Sequence, residues 1–195
     1  MVRIITVLFL ILSLGTTCFS QQERSHNVGI NIAPLLGTTY EIGYEFNSSS
    51  GWSFNLYSGL TRNSRGKGLI DHTKDAIRFE TRSGYFVKLG SHYNFRKSVD
   101  NFAFFIGGNI VYGYSIEQWN QGYSSFSKVG DNLGINSIIG LSSPYIKKVR
   151  IDLGFQIGTL IINNLISYKS YMPGMGIAFG NINFQGILRM KYRIN

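Results

Sequence analysis

From about residue 25 to the end, the chain repeatedly alternates large apolar residues with small or polar ones. Period two is what a β-strand with two unlike faces produces. From Phe102 one face reads Phe102, Phe104, Ile106, Gly108, Ile110, Tyr112, Tyr114 and Ile116, and the other Ala103, Phe105, Gly107, Asn109, Val111, Gly113 and Ser115. From Val149 the faces are Val149, Ile151, Leu153, Phe155, Ile157, Thr159, Ile161 and Arg150, Asp152, Gly154, Gln156, Gly158. The segments 79–95 and 182–194 repeat the pattern, and 28–32, 38–46, 52–60 and 133–141 carry it over shorter spans, making eight in all. No apolar face so read contains Asp, Glu, Lys or Arg, whereas the opposite faces carry charge. A soluble β-sandwich tends the other way, with its charges on the solvent face. Strands that cross a membrane need about 9–11 residues, apolar toward lipid and polar toward the lumen. The pattern therefore predicts an all-β chain, an eight-stranded antiparallel up-and-down transmembrane β-barrel.

The connections agree with antiparallel closure. Short links at 47–51, 96–101 and 143–148 alternate with longer ones at 63–77, 117–128 and 163–175, as in barrels with short turns at one end and long loops at the other. With that alternation, Phe46, Trp52, Tyr93, Phe95, Phe102, Phe104 and Tyr192 are expected at one rim and Phe79, Tyr112 and Tyr114 toward the other, as interfacial girdles.

The N-terminus gives the address. Met1-Val2-Arg3 is a basic start, Ile4 to Leu14 is apolar, and Gly15 to Ser20 is small and polar, the layout of a secretory signal peptide too short to span a bilayer as a helix. Residues 1–20 are expected to be removed after Ser20, leaving 21–195 as one barrel domain in the outer membrane of a Gram-negative bacterium. Gly15-Thr16-Thr17 before Cys18 is a poor lipidation context, so Cys18 is expected to leave with the signal.

Composition narrows the chemistry further. The chain has 195 residues with 12 Tyr, 14 Phe and 23 Gly against 3 Pro, a balance suited to strands, tight turns and interfacial rings. One cysteine and three scattered histidines offer no zinc-ligand spacing, and neither a metal nor any other cofactor is expected. The formal net charge is +9. Export, and the scatter of the basic residues over opposite faces, make nucleic acid a poor partner.

An eight-stranded barrel is just wide enough for side chains to fill it. The inward-facing charges expected in that lumen are Glu41, Glu45, Arg78, Glu80, Arg82, Lys88, Arg150, Asp152, Arg189, Lys191 and Arg193. The bland reading is an ion-pair network that plugs the barrel; the sharper one is a narrow porin-like path preferring anions. Closure across the first strand would bring Glu41 and Glu45 next to the strand of Arg189, Lys191 and Arg193. Arg62, Arg65, Lys67 and Lys74 cluster around the longest outer loop, where they could meet lipopolysaccharide phosphates, although Asp71 and Asp75 dilute them.

Signals for catalysis are weak. Ser91 and His92 are adjacent, which sends their side chains to opposite faces of a strand and prevents a dyad. Ser64, Asp71 and His72 share only a loop, and His26 has no sequence partner. The glycines at 174, 176 and 180 lack the spacing and following helix of a nucleotide loop and read as a loop end with room for close strand packing.

Three phrases carry a resemblance: Gly84-Tyr85-Phe86-Val87-Lys88-Leu89-Gly90 followed by Tyr93-Asn94-Phe95, Phe105-Ile106-Gly107-Gly108 running into Tyr112-Gly113-Tyr114, and Tyr171-Met172-Pro173-Gly174-Met175-Gly176. In architecture the chain resembles the eight-stranded outer-membrane barrels of the OmpA and OmpX type, and in these phrases it is similar to an uncharacterised family of exported barrels. The resemblance covers roughly residues 80–195 and implies fold and location, with no activity to carry over. It also implies a passage through the barrel-assembly machinery, which reads a terminal aromatic in many such proteins; this chain ends Tyr192-Arg193-Ile194-Asn195. The expected function is a small integral outer-membrane barrel with a structural or surface-interaction role, in contact with outer-membrane lipids, and not an enzyme; its surface ligand is not written in the sequence. Three alternatives remain: a narrow passive anion channel, a lipid A-modifying enzyme, and a secreted soluble β-barrel binder.

Overall fold

The computed structural model describes residues 24–34, 39–62, 78–95, 101–121, 124–164 and 169–194; the side chains of 78–82, 117–121, 124–126 and 169–171 are outside that description. The signal segment 1–20 also falls outside it. Ten strands form: β1 Ser25–Asn31, β2 Thr39–Asn47, β3 Trp52–Arg62, β4 Arg78–Phe95, β5 Ala103–Gln121, β6 Ser124–Ser142, β7 Val149–Asn163, β8 Lys169–Met172, β9 Gly176–Phe179 and β10 Ile182–Arg193. Strands β1 to β7 pair antiparallel in chain order, β7 pairs with β10, and β10 returns to β1. Eight strands thus close a barrel, and β8–β9 is an additional hairpin carried by β10.

The closing seam runs from Asn27↔Arg193 to Asn31↔Arg189. It is lengthened at each end by backbone bonds from Ile194 N to His26 O (2.8 Å) and from Ile32 N to Leu188 O (2.7 Å). At the foot of β2, Ser48 N donates to Trp52 O (2.7 Å) and Gly51 takes φ +85°, the left-handed position that tight hairpin loops reserve for glycine.

Alternation sorts the side chains by polarity in the sense opposite to a water-soluble protein. Ile42, Leu60, Leu89 and Leu153 are 60–63% exposed on the outside, while Lys88, Arg150, Arg189 and Lys191 inside are at most 1% exposed. Outward rings form a chain of contacts at the rim nearest the N-terminus: Trp52 edge-on to Tyr93 (5.4 Å between centroids), Tyr93 to Phe95 (4.9 Å) and Phe95 to Phe104 (5.9 Å). Toward the other end Tyr85 stacks on Tyr114 (5.0 Å), and Tyr112 donates to Asp131 (2.6 Å).

The structure departs from the expected layout at four places. Residues 117–128 are not mainly loop, because β5 and β6 run on as a ribbon of 19 residues each, leaving only 122–123 between them. Residues 163–175 are not a simple loop either: β8 begins at Lys169, and Met172 to Gly176 make the turn of the inserted hairpin. The register of β4 on β5 slips between Thr81 and Ser83, so the alternation does not run unbroken through 79–95. A second slip, between Leu133 and Gly134 opposite β7, leaves Ile161 and Ile162 both exposed.

Inside the barrel, large rings lie over glycines of the neighbouring strand. A Cβ on Gly43 would stand 2.0 Å from the Tyr57 ring, and one on Gly59 would stand 2.5 Å from Phe86. These glycines are therefore the floor on which the interior aromatics rest. Gly43→Val is expected to lower stability by about 1–3 kcal/mol, the usual cost of overpacking, read as an earlier urea midpoint of tryptophan fluorescence. An unchanged midpoint would mean that Tyr57 is free to move.

Candidate functional site

The interior is layered along the barrel axis. At the N-terminal rim the inward positions of β1 to β4 are small and polar: Asn47 Nδ2 donates to Ser25 Oγ (2.9 Å), Ser53 Oγ donates to Asn47 Oδ1, and Asn94 Nδ2 donates to Ser53 Oγ (2.7 Å). Tyr145, from the β6–β7 connection, reaches over this layer. Its hydroxyl donates to Asn27 Oδ1 (2.9 Å), and its ring lies 5.3 Å from the Arg150 guanidinium and 5.7 Å from that of Arg193.

Above that rim lie two ionic layers. In the first, Glu45 meets Arg150 Nη2 through Oε1 (2.9 Å) and Lys191 Nζ through Oε2, with His92 Nε2 3.8 Å away. Asp152 faces the same two cations, with Arg150 Nε at 3.2 Å and Lys191 Nζ at 2.5 Å. Register explains the convergence. Gly29 stands between Gly43 and Lys191 in adjacent strands, and a Cβ there would come within 3.0 Å of Lys191 Cγ, so the absent side chain lets Lys191 lean toward Glu45. In the second layer Lys88 Nζ donates to Glu41 Oε2 and to Gln185 Oε1, both at 2.8 Å. Arg189 Nη2 is 3.9 Å from Glu41 Oε1, and its guanidinium lies 4.2 Å from the centre of the Tyr57 ring. Nε and Nη1 of Arg189 have no hydrogen-bond acceptor among the described residues, so the ring face is its principal neighbour.

The third layer is amide and then apolar. Asn136 donates to Asn109 (2.8 Å), and Gln156 Nε2 donates to Gly174 O (3.0 Å) in the turn of the β8–β9 hairpin. That turn pushes Met172 and Met175 into a cluster with Phe86, Val111, Leu160 and Ala178, all 5% exposed or less. Gly174 takes φ +73° and lies against Phe86, where a Cβ would come within 2.4 Å of the ring. The lumen is thus ionic in its lower half and covered by an apolar cap.

Of the lumen charges expected from sequence, the structure brings together Glu41, Glu45, Lys88, Arg150, Asp152, Arg189 and Lys191, all buried. Arg193 is instead half-exposed at the rim beside Tyr145, because it lies at the end of β10. The side chains of Arg78, Glu80 and Arg82 lie outside the described residues, and the slip at Thr81/Ser83 breaks the alternation that put them on the face of Lys88. In the basic loop cluster, Arg62 is exposed at the end of β3, while Arg65, Lys67 and Lys74 lie outside the described residues. Ser91 and His92 point to opposite sides, with His92 fully buried. Four interior participants are absent from the lumen set expected from sequence: Tyr57, His92 and Gln185, which strand parity places inward, and Tyr145, for which no periodic signal exists.

No family model and no curated protein matches the chain in sequence. Solved structures do match in shape. A major outer membrane protein from Thermus thermophilus superposes with a TM-score of 0.53 at 13% identity, over 88% of this chain and 98% of that one. The N-terminal β-barrel domain of Pseudomonas aeruginosa OprF gives 0.51 at 8% identity, over 88% and 100%. This chain has the eight-stranded outer-membrane barrel fold.

Four cations and three carboxylates are buried together among the described residues, so nearly every charge has an opposite within reach. Removing one member of such a set leaves its partners as uncompensated buried charges, at a cost of about 3–5 kcal/mol. Glu45→Gln is expected to destabilise the folded barrel by that amount in urea. Adding Lys191→Met is expected to restore part of the loss, because the second change removes a cation the first left unpaired. Strict additivity of the two substitutions would show that the residues do not interact.

Proposed function

We propose that the chain is a small integral outer-membrane β-barrel with a structural or surface-interaction role, and that it carries out no reaction. The observation that carries this reading is the polarity inversion: a continuous apolar exterior around a buried ionic interior. In water that exterior would be an aggregation surface far beyond ordinary exposed patches; in lipid it is the solvated face.

Dimensions support it. Phe104 at the lower aromatic rim and Tyr114 at the upper one are ten residues apart on β5. That is about 33 Å of strand, which at a tilt of about 40° rises about 25 Å, the height of an outer-membrane apolar band. Asp131 and Tyr112 then mark the upper boundary, where a carboxylate on the outer face can reach water. The signal-like N-terminus adds export, and the outer membrane of a Gram-negative bacterium is the membrane that takes such barrels. Outer-membrane lipids, the barrel-assembly machinery and lipopolysaccharide phosphates near Arg62 are the partners this location supplies.

The near balance of buried charge and the apolar cap weigh against an anion path, since neither leaves the uncompensated cations that would lower an anion's barrier. The folded protein is expected to fractionate with detergent-extracted membranes and to show no steady conductance in a planar bilayer. Ile110→Arg, placing a cation in the middle of the band, is expected to cost about 2–4 kcal/mol when the barrel is unfolded from lipid vesicles. Recovery of the wild-type protein in the aqueous fraction would overturn the reading.

A further inference from the structure

The rim at the N-terminal end carries a feature that closure of the barrel does not require. The β6–β7 connection is closed by the bridge Ile146↔Val149, with Lys147 and Lys148 between them, both exposed. Lys147 takes φ +60°, and no other non-glycine residue among those described has positive φ. A turn that needs this conformation takes glycine, asparagine or aspartate at least cost, and lysine is a strained choice. Residues held in such conformations cluster at ligand-binding and other functional positions.

The surroundings of the turn are basic and apolar. Lys148 Nζ lies over the outward-facing Tyr192 ring, 5.9 Å from its centre. The backbone N of Arg193 donates to Lys148 O (2.8 Å), which ties the turn to the end of β10. Ile146, beside the two lysines, is 73% exposed. Among the described residues no exposed carboxylate shares this rim: Glu41, Glu45 and Asp152 are buried in the lumen, and Asp131 is at the opposite end. One cation over an interfacial ring, beside a second exposed cation and an exposed apolar side chain, matches a phosphate group at a lipid headgroup layer.

We propose that the Ile146–Lys147–Lys148 turn, with Tyr192, is a binding surface for the headgroups of anionic phospholipids in the leaflet at the N-terminal rim. The inference rests on the membrane-barrel reading above. Ile146 enters the acyl boundary, and the two lysines hold the phosphate.

The test is native mass spectrometry of the folded, detergent-solubilised protein titrated with phosphatidylglycerol or phosphatidylcholine of identical acyl chains. Phosphatidylglycerol is expected to bind about tenfold more tightly at low salt, a ratio in line with a contribution from each basic side chain near the surface. Lys147→Gln with Lys148→Gln is expected to bring the ratio to about twofold or less, while Lys128→Gln, on β6 toward the other end, leaves it unchanged. Lys147→Gly gives an independent check: relief of strain raises the urea midpoint while the lipid preference falls. Equal affinity of the folded wild-type protein for both lipids would overturn the proposal and leave the barrel reading intact. Failure of the protein to enter detergent or vesicles at all would overturn the barrel reading instead. Displacement of the lipid by millimolar inorganic phosphate would identify a free-anion site and overturn the lipid assignment.

Discussion

The hydrogen-bonded seam between β1 and β10 is the contact on which the other features depend. In hydrocarbon a backbone N–H or C=O without a partner costs several kcal/mol, so a sheet can sit there only if it has no open edge. Closing the sheet also creates the enclosed space in which Glu41, Glu45 and Asp152 lie against Lys88, Arg150, Arg189 and Lys191. The two consequences reinforce each other. The seam itself brings β2 and β10 to either side of the short β1, and the ion pairs Glu45–Lys191 and Glu41–Arg189 cross it. Removing charge from water is expensive, and the interior offsets that expense with several opposite charges and an aromatic face rather than with single pairs.

The same economy of space explains the interior glycines. A barrel this narrow has no room for a side chain at every inward position, so large groups alternate with absent ones. Tyr57 lies over Gly43, Phe86 over Gly59, and Lys191 leans across Gly29. Tyr57 then serves twice, filling the space above one strand and presenting its π face to Arg189.

Much of this was readable from residue order. Period two assigned the inward and outward faces of β1, β2, β3, β5, β7 and β10 because lipid and lumen impose opposite demands on successive residues. Chain order with antiparallel neighbours then set Glu41 and Glu45 across β1 from β10. Other parts were not readable, for physical reasons. Beyond the membrane band, strand residues face water on the outside and lose their apolar alternation, so Glu117 to Lys128 looked like a loop although the backbone remains paired. The slip at Thr81/Ser83 shifts parity by one without any change in composition. The β8–β9 hairpin has strands of only four residues around Pro173 and Gly174, too short for a period to register. Tyr145 enters the lumen from a turn, where no alternation directs it.

The β8–β9 hairpin also changes how the barrel could come apart. On the edge of β10 that faces β1, the lower residues bond to β1 and Ile182 to Phe184 bond to β9, so one strand edge holds both the wall and the stopper. Peeling from the outer mouth would have to draw Met172 and Met175 out of their apolar nest before reaching the first rung shared with β1. The cork is thus stitched into the lock, and the vessel cannot be uncorked from above without beginning to unfasten its own side.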